Sequence, residues 1–254
     1  MKLGIMQPYF FPYLGYFQGI NAADKYILYD NLNFIKEAWM NRNRYLIKNG
    51  KSGFFTVPLK AKSSFKKICE IELIDNSTWK KKILNSLFLN YKSAEYFDDV
   101  FPMIENVINY PTNKLTELNF QSIKSVCDFL NLKTELSADS LKYIDIEIKL
   151  AADKIDKKNF PDIKLINWQR KIIRIIEISR MEKADIFINA IGGMELYSKE
   201  VFNNNGIELL FVKTLAYCYK QQSTVFYPNL SIVDVLMNCG RERTNELIKN
   251  YELV

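Results

Sequence analysis

The N-terminal part of the chain alternates between short apolar runs and a loop rich in aromatic residues. The apolar run Leu3–Met6 predicts a buried strand, and Gln7-Pro8 ends it. A loop punctuated by proline follows over Tyr9–Tyr13, and the next segment predicts a helix from Gly15 to about Ala23. Lys25–Tyr29 predicts a second strand. Strand, loop, helix and strand together indicate a βαβ unit.

The unusual polar and aromatic residues of this unit fall where its strands end. Open α/β sheets bind ligands at the carboxyl ends of their strands. Gln7 follows the first strand, Asp30 follows the second, and Tyr13 and Tyr16 lie on the connection between them. We therefore select Gln7, Tyr13 and Tyr16 as candidate ligand-binding residues, and Asp30 as a candidate catalytic residue.

The next segment, Asn31–Arg44, is polar and aromatic without a clear period, which predicts a loop or short hairpin across the ligand side of the sheet. Arginine and lysine bind phosphate or carboxylate, and tryptophan stacks on flat rings. The candidate binding residues of this segment are Lys36, Trp39, Asn41, Arg42, Asn43 and Arg44. A plain surface hairpin with one half-buried tryptophan is the alternative.

The middle third of the chain predicts helices. Apolar residues recur at helical spacing over Trp79–Tyr91, over Tyr96–Ile108 and from Pro111 to Leu130. Strand patterns lie on both sides of them, at Phe54–Leu59, Ile68–Ile74, Lys133–Ser137 and Tyr143–Ile148, and Asn49-Gly50-Lys51 predicts a turn. We interpret this region as a helical insertion near residues 75–132 whose apolar stripes form core, and we assign it no chemistry.

The last third repeats the order of the N-terminal unit. The predicted elements are a helix over Asn167–Met181, a strand over Asp185–Ile188, a glycine loop over Asn189–Gly193, a helix over Met194–Phe202 and a strand over Ile207–Lys213. A helix N-terminus behind a glycine loop favours an anion, although a plain turn is the alternative. The candidates here are Asn189, Gly192 and Tyr197 for binding and Glu195 for catalysis.

A capped helix is predicted near the C-terminus. Ser231 caps the apolar segment Ile232–Cys239, and Gly240 ends it. Asp234 lies in the first turn of this helix, where it is either a substrate-binding carboxylate or a group that stabilises the helix end.

Composition bounds the class of protein. The chain has 254 residues, of which 48% are hydrophobic, which is enough for one large domain or a domain with a subdomain. The net charge of +6 suits an anionic small ligand and does not by itself indicate nucleic acid. The four cysteines (Cys69, Cys127, Cys218 and Cys239) are too far apart for a zinc knuckle or redox pair, which favours reduced thiols. With no signal-peptide pattern and no apolar run of about 20 residues, we expect a cytoplasmic protein without a membrane span.

The absence of histidine narrows the possible chemistry. Nucleophile systems that depend on histidine, histidine-ligated zinc and a histidine general base are excluded. Acid–base work would fall to carboxylates, Lys, Tyr, Cys or the substrate itself. Scattered carboxylates such as Asp24, Asp30 and Glu195 are common, so we assign no metal.

The N-terminal motif Gln7-Pro-Tyr-Phe-Phe-Pro-Tyr-Leu-Gly-Tyr16 is specific. It is accompanied by Ala23-Asp24, Tyr29-Asp30, Trp39–Asn43, Phe55–Leu59, Trp79–Phe97, Asn189–Tyr197, Gly206-Ile207 and Leu230–Asn238. Over nearly its whole length the chain thereby resembles the WbqC-like protein family. It departs from the family at Asn31, where many members carry a second acidic residue, and at Asn189–Gly193, where a Ser-Gly form is commoner. Both departures leave the substrate open.

This resemblance implies a role in surface polysaccharides. Members of the family occur in gene sets for O-antigen lipopolysaccharide and other surface polysaccharides, and glycine transfer, or more broadly aminoacyl or acyl transfer to an amino sugar, has been proposed for them. We therefore expect a transferase that forms an amide on the amino group of a nucleotide-linked amino sugar. The acyl donor would be a thioester or an aminoacyl donor such as a charged tRNA.

A second resemblance concerns Tyr13-Leu-Gly-Tyr16, which follows a strand and a loop containing Pro and Phe. This arrangement resembles the His-x-Gly-His nucleotidyltransferases, which include pantothenate synthetase and whose two histidines contact nucleotide phosphates. Tyrosine carries no positive charge at neutral pH, so Lys36, Arg42 or Arg44 would have to supply it. An ATP-dependent ligase that forms an acyl adenylate is therefore an alternative, and a non-catalytic nucleotide-sugar-binding protein is another.

These patterns lead to one expected architecture. We predict a single α/β domain over residues 1–254, with a Rossmann-like, mostly parallel sheet, flanking helices and the helical insertion.

Overall fold

The fold is an α/β architecture around one large sheet. The computed structural model describes residues 1–48, 50–152 and 163–254. In chain order its elements are β1 (Lys2–Met6), α1 (Leu14–Ala22), β2 (Lys25–Leu28), β3 (Arg42–Ile47), β4 (Lys51–Thr56), β5 (Leu59–Lys60), β6 (Glu72–Leu73), α2 (Thr78–Tyr91), α3 (Phe97–Ile108), α4 (Leu115–Leu130), β7 (Glu135–Ser137), α5 (Ile144–Ala152), α6 (Ile163–Met181), β8 (Ile186–Ala190), α7 (Lys199–Asn203), β9 (Glu208–Thr214), α8 (Ile232–Lys249) and β10 (Tyr251–Leu253).

The large sheet has six strands in the order β10-β9-β8-β1-β2-β7. Strands β7, β2, β1, β8 and β9 pair in parallel, and β10 pairs with β9 in the antiparallel sense. This confirms the predicted Rossmann-like, mostly parallel sheet. Two further pairs, β3 with β4 and β5 with β6, are antiparallel hairpins outside this sheet.

Helices cover both faces of the sheet, as parallel strands require. On one face, α1 packs with α8, with helices α2–α4 and with the β3–β4 hairpin in a single apolar core. On the other face, buried residues of α5, α6 and α7 pack on Leu3, Ile27 and Phe187. The helices predicted as an insertion thus share one core with α1, while their separation as a subdomain stays a prediction. No helix within the described ranges is long and apolar enough to span a bilayer.

One predicted strand is a helix. Tyr143–Ile148 carries isoleucine at every second position, which predicted a strand. Tyr143 ends a 3₁₀ turn and Ile144–Ile148 begin α5, because Tyr143, Ile146 and Leu150 are buried at helical spacing, whereas Ile148 is 57% exposed. Burial at intervals of three and four residues therefore makes this segment a helix, although its isoleucines alternate as they would in a strand.

The predictions for two other segments also differ from the structure. Ile68–Ile74, predicted as a strand, begins with a 3₁₀ turn at Ile68–Glu70, where the Glu70 carboxylate accepts a hydrogen bond from the Lys67 amide at 2.6 Å. The helix predicted over Met194–Phe202 is confined to the short α7, and Ile191–Gly193 forms a 3₁₀ turn instead. The turn predicted at Asn49 lies outside the described residues.

Gly240 divides α8 where the sequence predicted the end of a helix. Its φ of 62° and ψ of −164° are non-helical and belong to a region that glycine alone occupies at low cost. A Cβ atom at this position would lie 2.5 Å from the ring of Tyr96. Glycine is therefore required here for both backbone conformation and space.

We expect Gly240→Ala to lower the free energy of unfolding by about 3 kcal/mol, since backbone strain and overpacking each cost about 1–3 kcal/mol. Gly206→Ala is the matched control, because Gly206 has a φ of 73° but no atom within 4 Å of the position that an added Cβ would take. The free energy of unfolding of the Gly206→Ala variant should fall by only about 1 kcal/mol, because backbone strain is its one cost. Urea denaturation measures both, and equal losses would contradict the steric argument.

Candidate functional site

A crevice opens between the carboxyl ends of β1 and β8. These neighbouring parallel strands are in register at Gly4 and Ile188. After β1 the chain passes to the face that holds α1, and after β8 it passes to the opposite face, where Phe202 of α7 is buried. Because the two connections leave in opposite directions, a gap remains between them, which is the usual ligand position in sheets of this kind.

This crevice encloses a cavity of about 200 Å³. It is lined by Ile5, Met6, Gln7, Tyr29, Leu32, Lys171, Arg174, Ile175, Asn189, Leu196 and Tyr197. The predicted residues Gln7, Asn189 and Tyr197 therefore share one cavity.

The cationic side of the crevice is partly neutralised. Arg174 forms a two-point ion pair with Glu147, with its Nη2 2.9 Å from Oε2, and the hydroxyl of Tyr29 donates to the same carboxylate at 2.7 Å. Burial opposes ionisation of Glu147, but the hydrogen bonds from Arg174 and Tyr29 outweigh it and lower the pKa of this carboxyl. Glu147 is thus an ionised counter-charge and a poor proton acceptor.

The remaining polar groups of the crevice are uncommitted. Within the described chain, the amide of Gln7 and the ammonium of Lys171 have no protein hydrogen-bond partner. Asn189 accepts a hydrogen bond from the Ala190 amide at 2.8 Å, which leaves its Nδ2 free to donate. Burial raises the pKa of Tyr197, so its hydroxyl stays protonated. A cation and neutral donors facing one small cavity suit an anionic or polyhydroxylated ligand.

Hydrogen bonds hold almost every carbonyl group of the loop Gln7–Tyr13, whose first residue lines the crevice. The carbonyl oxygen of Gln7 accepts from the Tyr16 hydroxyl at 2.9 Å, and that of Pro8 accepts from Asn119 at 2.9 Å. The carbonyl of Phe11 accepts from both Asn43 and Ser231 at 2.7 Å. Phe11 itself has a φ of 41°, an uncommon value for a bulky residue that these bonds maintain.

A second cavity, of about 330 Å³, is bordered by later residues of this loop. It is lined by Tyr9, Pro12, Tyr13, Trp39, Asn43, Arg44 and Asn229. The guanidinium of Arg44 lies 5.7 Å from the Trp39 ring and donates to the Asn229 carbonyl at 3.1 Å. Its Nε is buried without a hydrogen-bond partner among the described residues. Aromatic faces beside an unsatisfied guanidinium suit a flat ring that carries an anionic group.

A family model described as the WbqC-like protein family matches residues 7–246. The chain belongs to the WbqC-like family. The match begins at Gln7, which lines the crevice, and includes every residue that lines the second cavity.

A curated relative is similar over nearly the same length. The uncharacterized protein Rv1507c of Mycobacterium tuberculosis is 27% identical over 248 residues, which cover 97% of each chain. No solved structure matches this chain. Family membership therefore rests on sequence, and the fold and cavities described above add the geometry.

Several predicted binding residues of this WbqC-like chain hold the backbone instead of facing a cavity. Tyr16 is 3% exposed, and its hydroxyl is committed to the Gln7 carbonyl, so it gives no support to the phosphate contact implied by the nucleotidyltransferase resemblance. Asn41 donates to the Val57 carbonyl at 2.8 Å. Asn43 borders the second cavity, but its amide is committed to Phe10, Phe11 and the Arg44 amide.

Other predicted binding residues lie outside both cavities. Lys36 and Gly192 are exposed. Arg42 donates to the Glu37 carbonyl and lies 4.9 Å from the Phe54 ring, beside the second cavity but not in its lining. Asp234 is fully buried and accepts hydrogen bonds from Tyr91, Tyr219 and Gln221 at 2.7, 2.6 and 3.1 Å. Burial raises the pKa of Asp234 despite these bonds, and the carboxyl joins three segments of the fold.

The two predicted catalytic carboxylates are placed differently. Asp30 is 5% exposed, and its oxygens accept hydrogen bonds from Thr116, at 2.6 Å, and from Ser140. Glu195 is exposed and does not line the crevice. Beside Asp30, the divergent residue Asn31 is buried, accepts a hydrogen bond from Lys67 and leaves its Nδ2 without a partner in the described chain.

Sequence reasoning missed the residues that α6 and α5 contribute. Lys171 and Arg174 line the crevice, and Glu147 lies behind Arg174, but the isoleucine-rich pattern of α6 indicated only core. Their spacing was a signal that could have identified them. Because positions three apart on a helix share a face, the side chains of Lys171 and Arg174 must lie on the same side of α6. Pro12 and Asn229 of the second cavity were also missed.

We expect Asn43→Ala to lower the free energy of unfolding by about 3 kcal/mol, since two buried hydrogen bonds and a partly buried one are lost at about 1 kcal/mol each. Asn33→Ala is the control, because Asn33 is exposed and its side chain has no hydrogen bond within the described residues. Chemical denaturation measures both. An Asn43 variant as stable as the control would show that the loop does not depend on this clamp.

Proposed function

We propose that this protein is a transferase of surface-polysaccharide biosynthesis that forms an amide on the amino group of a nucleotide-linked amino sugar. The proposal combines membership of the WbqC-like family with the two cavities that residues of the Gln7–Tyr13 loop border. The observation that carries it is the crevice, where Gln7, Lys171 and Asn189 present uncommitted polar groups.

The sizes of the cavities support a ligand of two parts. About 200 Å³ is too small for a whole nucleotide sugar, since drug-sized ligands occupy roughly 300–1,000 Å³, but it suits a sugar with one anionic group. The cavity of about 330 Å³ offers Trp39 and Tyr9 for ring stacking and Arg44 for phosphate. In this proposal the sugar occupies the crevice and the nucleotide occupies the aromatic cavity.

The proposed reaction is an acyl transfer. The sugar amine attacks the acyl carbonyl of a thioester or aminoacyl donor, and the bond from that carbonyl carbon to the donor's sulfur or oxygen breaks. One proton passes from the amine, by way of a base, to the departing thiolate or alkoxide. In the absence of histidine, a carboxylate accepts that proton, and Asp30 and Glu195 are the proposed candidates. Glu147 is unsuited, because its pKa is lowered by Arg174 and Tyr29.

One observation favours a second candidate function, non-catalytic binding of a nucleotide sugar. Among the described residues, no carboxylate lines the crevice, and both oxygens of Asp30 are engaged by hydroxyl groups. A binding protein needs no proton acceptor beside its ligand.

The first experiment is calorimetric titration of the purified chain with UDP-, GDP- and dTDP-linked amino sugars and with ATP. We expect a nucleotide sugar to bind, and Lys171→Ala to weaken this binding at least tenfold, since a charge-assisted hydrogen bond contributes about 1.5–3 kcal/mol. Lys183→Ala is the control, because this exposed lysine precedes β8 at the opposite end of the sheet. Unchanged affinity in the Lys171 variant would remove the crevice from the proposal.

Turnover is then measured with the sugar that binds. Mass spectrometry of mixtures that contain an acyl thioester, an aminoacyl-tRNA, or ATP with a free acid distinguishes transfer from adenylate formation. Binding without any acylated sugar supports the non-catalytic function.

A pair of glycine variants tests the role of Asn189. A Cβ at Gly193 would lie 2.5 Å from the Asn189 Nδ2, whereas one at Gly192 would have no atom within 4 Å. Gly193→Ala should therefore displace the amide and weaken ligand binding about fivefold, the value of one hydrogen bond, while Gly192→Ala leaves it unchanged. Calorimetry measures the affinities, and equal effects would contradict a role for Asn189.

A further inference from the structure

Two neighbouring loops form an exposed tip beside the crevice. An antiparallel bridge joins Asn33 to Lys67, and the Phe34 amide donates to the Lys66 carbonyl at 2.8 Å. Phe65 lies in a turn that the Lys66 amide closes on the Ser63 carbonyl at 3.2 Å, and Ile35 directly follows Phe34 on the neighbouring loop. We call residues 33–37 and 62–67 the paired tip.

The paired tip carries apolar side chains in water. Phe65 is 94% exposed and Ile35 is 53% exposed, although both are large enough to contribute to a core. Large apolar groups exposed on two loops that are hydrogen-bonded to each other indicate an interaction surface. Nothing in the local packing requires them, since the neighbouring Phe34 and Ile68 already fill the core below.

Lysines surround these apolar groups. Lys36, Lys62 and Lys66 are in the paired tip, and none of them forms an ion pair with a described residue. Glu37 is the one acidic residue of the two segments. The paired tip therefore combines a net positive charge with exposed apolar side chains.

We propose that the paired tip docks on an anionic lipid surface. Phe65 and Ile35 enter the headgroup region, and the surrounding lysines contact lipid phosphates, which is the arrangement of peripheral membrane anchors. A protruding aromatic side chain needs no matching pocket in a bilayer, whereas a protein partner would have to supply one. The proposal concerns peripheral contact and is independent of the proposed transferase function.

Docking would bring the crevice close to the lipid. Leu32, which lines the crevice, directly precedes the paired tip and accepts a hydrogen bond from the Ile68 amide at 2.9 Å. The surface that binds lipid and the cavity that binds the proposed ligand thus share one short segment.

The test is co-sedimentation with phosphatidylcholine vesicles that do or do not contain phosphatidylglycerol. We expect binding only to the anionic vesicles and weakening by salt. Lys62→Gln combined with Lys66→Gln should weaken binding about 25-fold, since each lysine near an anionic surface contributes about fivefold. Phe65→Ser should weaken it about tenfold through lost apolar burial.

Two control variants are matched to these changes. Val225→Ser removes another side chain that is 63% exposed, and Lys133→Gln combined with Lys183→Gln removes exposed charges before β7 and β8, at the opposite end of the sheet. Both should bind vesicles like the parent chain, and urea denaturation should show all variants folded. Absence of vesicle binding, or equal loss in the controls, would overturn the proposal. So would a Phe65-dependent dimer, detected by light scattering, that does not bind vesicles.

Discussion

The structure depends on the hydrogen bonds that hold the loop between the first strand and the first helix. Two prolines and a residue at positive φ keep this loop out of any regular element, so its buried carbonyl groups must find partners elsewhere. Asn43, Asn119 and Ser231 provide them from β3, α4 and the start of α8. One loop therefore fixes the relative positions of the hairpin, the middle helices and the C-terminal helix.

This constraint explains why many aromatic residues of the N-terminal motif are core. Phe10 and Phe11 are fully buried and form edge contacts with Phe55 of the hairpin. Tyr9 and Tyr13, in contrast, remain at the boundary of the second cavity. The loop thus contains residues whose burial anchors it to the core and residues whose side chains border the second cavity. The anchored residues fix the positions of those that border the cavity.

Much of the fold could be predicted from the sequence, because periodic burial determines it. The strands β1, β2, β8 and β9 and the helices α2–α4 follow clear apolar patterns. Tyr143–Ile148 was predicted wrongly, since its isoleucines alternate although its core contacts are helical. In a segment this short, the apolar residues fit both the two-residue period of a strand and the 3.6-residue period of a helix. Tertiary packing then determines which element forms.

The candidate site was predicted in part. The rule that ligands bind at strand ends identified Gln7 and Asn189, which do share a cavity. Asn43 and Asp234 were equally plausible binding residues by residue type. Their side chains instead form hydrogen bonds with buried polar groups, whose positions a sequence does not reveal. Lys171 and Arg174 were missed for the converse reason: on a helix that also builds core, the edge that faces the cavity is known only after the helix is docked.

The crevice has a consequence for how the molecule holds together. Its walls include the first strand and the eighth, which are separated by about 180 residues of sequence and meet only when the sheet forms. An occupant that touched both walls would act as a non-covalent clasp across the centre of the sheet. It would therefore slow opening of the whole fold, and resistance to proteolysis would rise with occupancy.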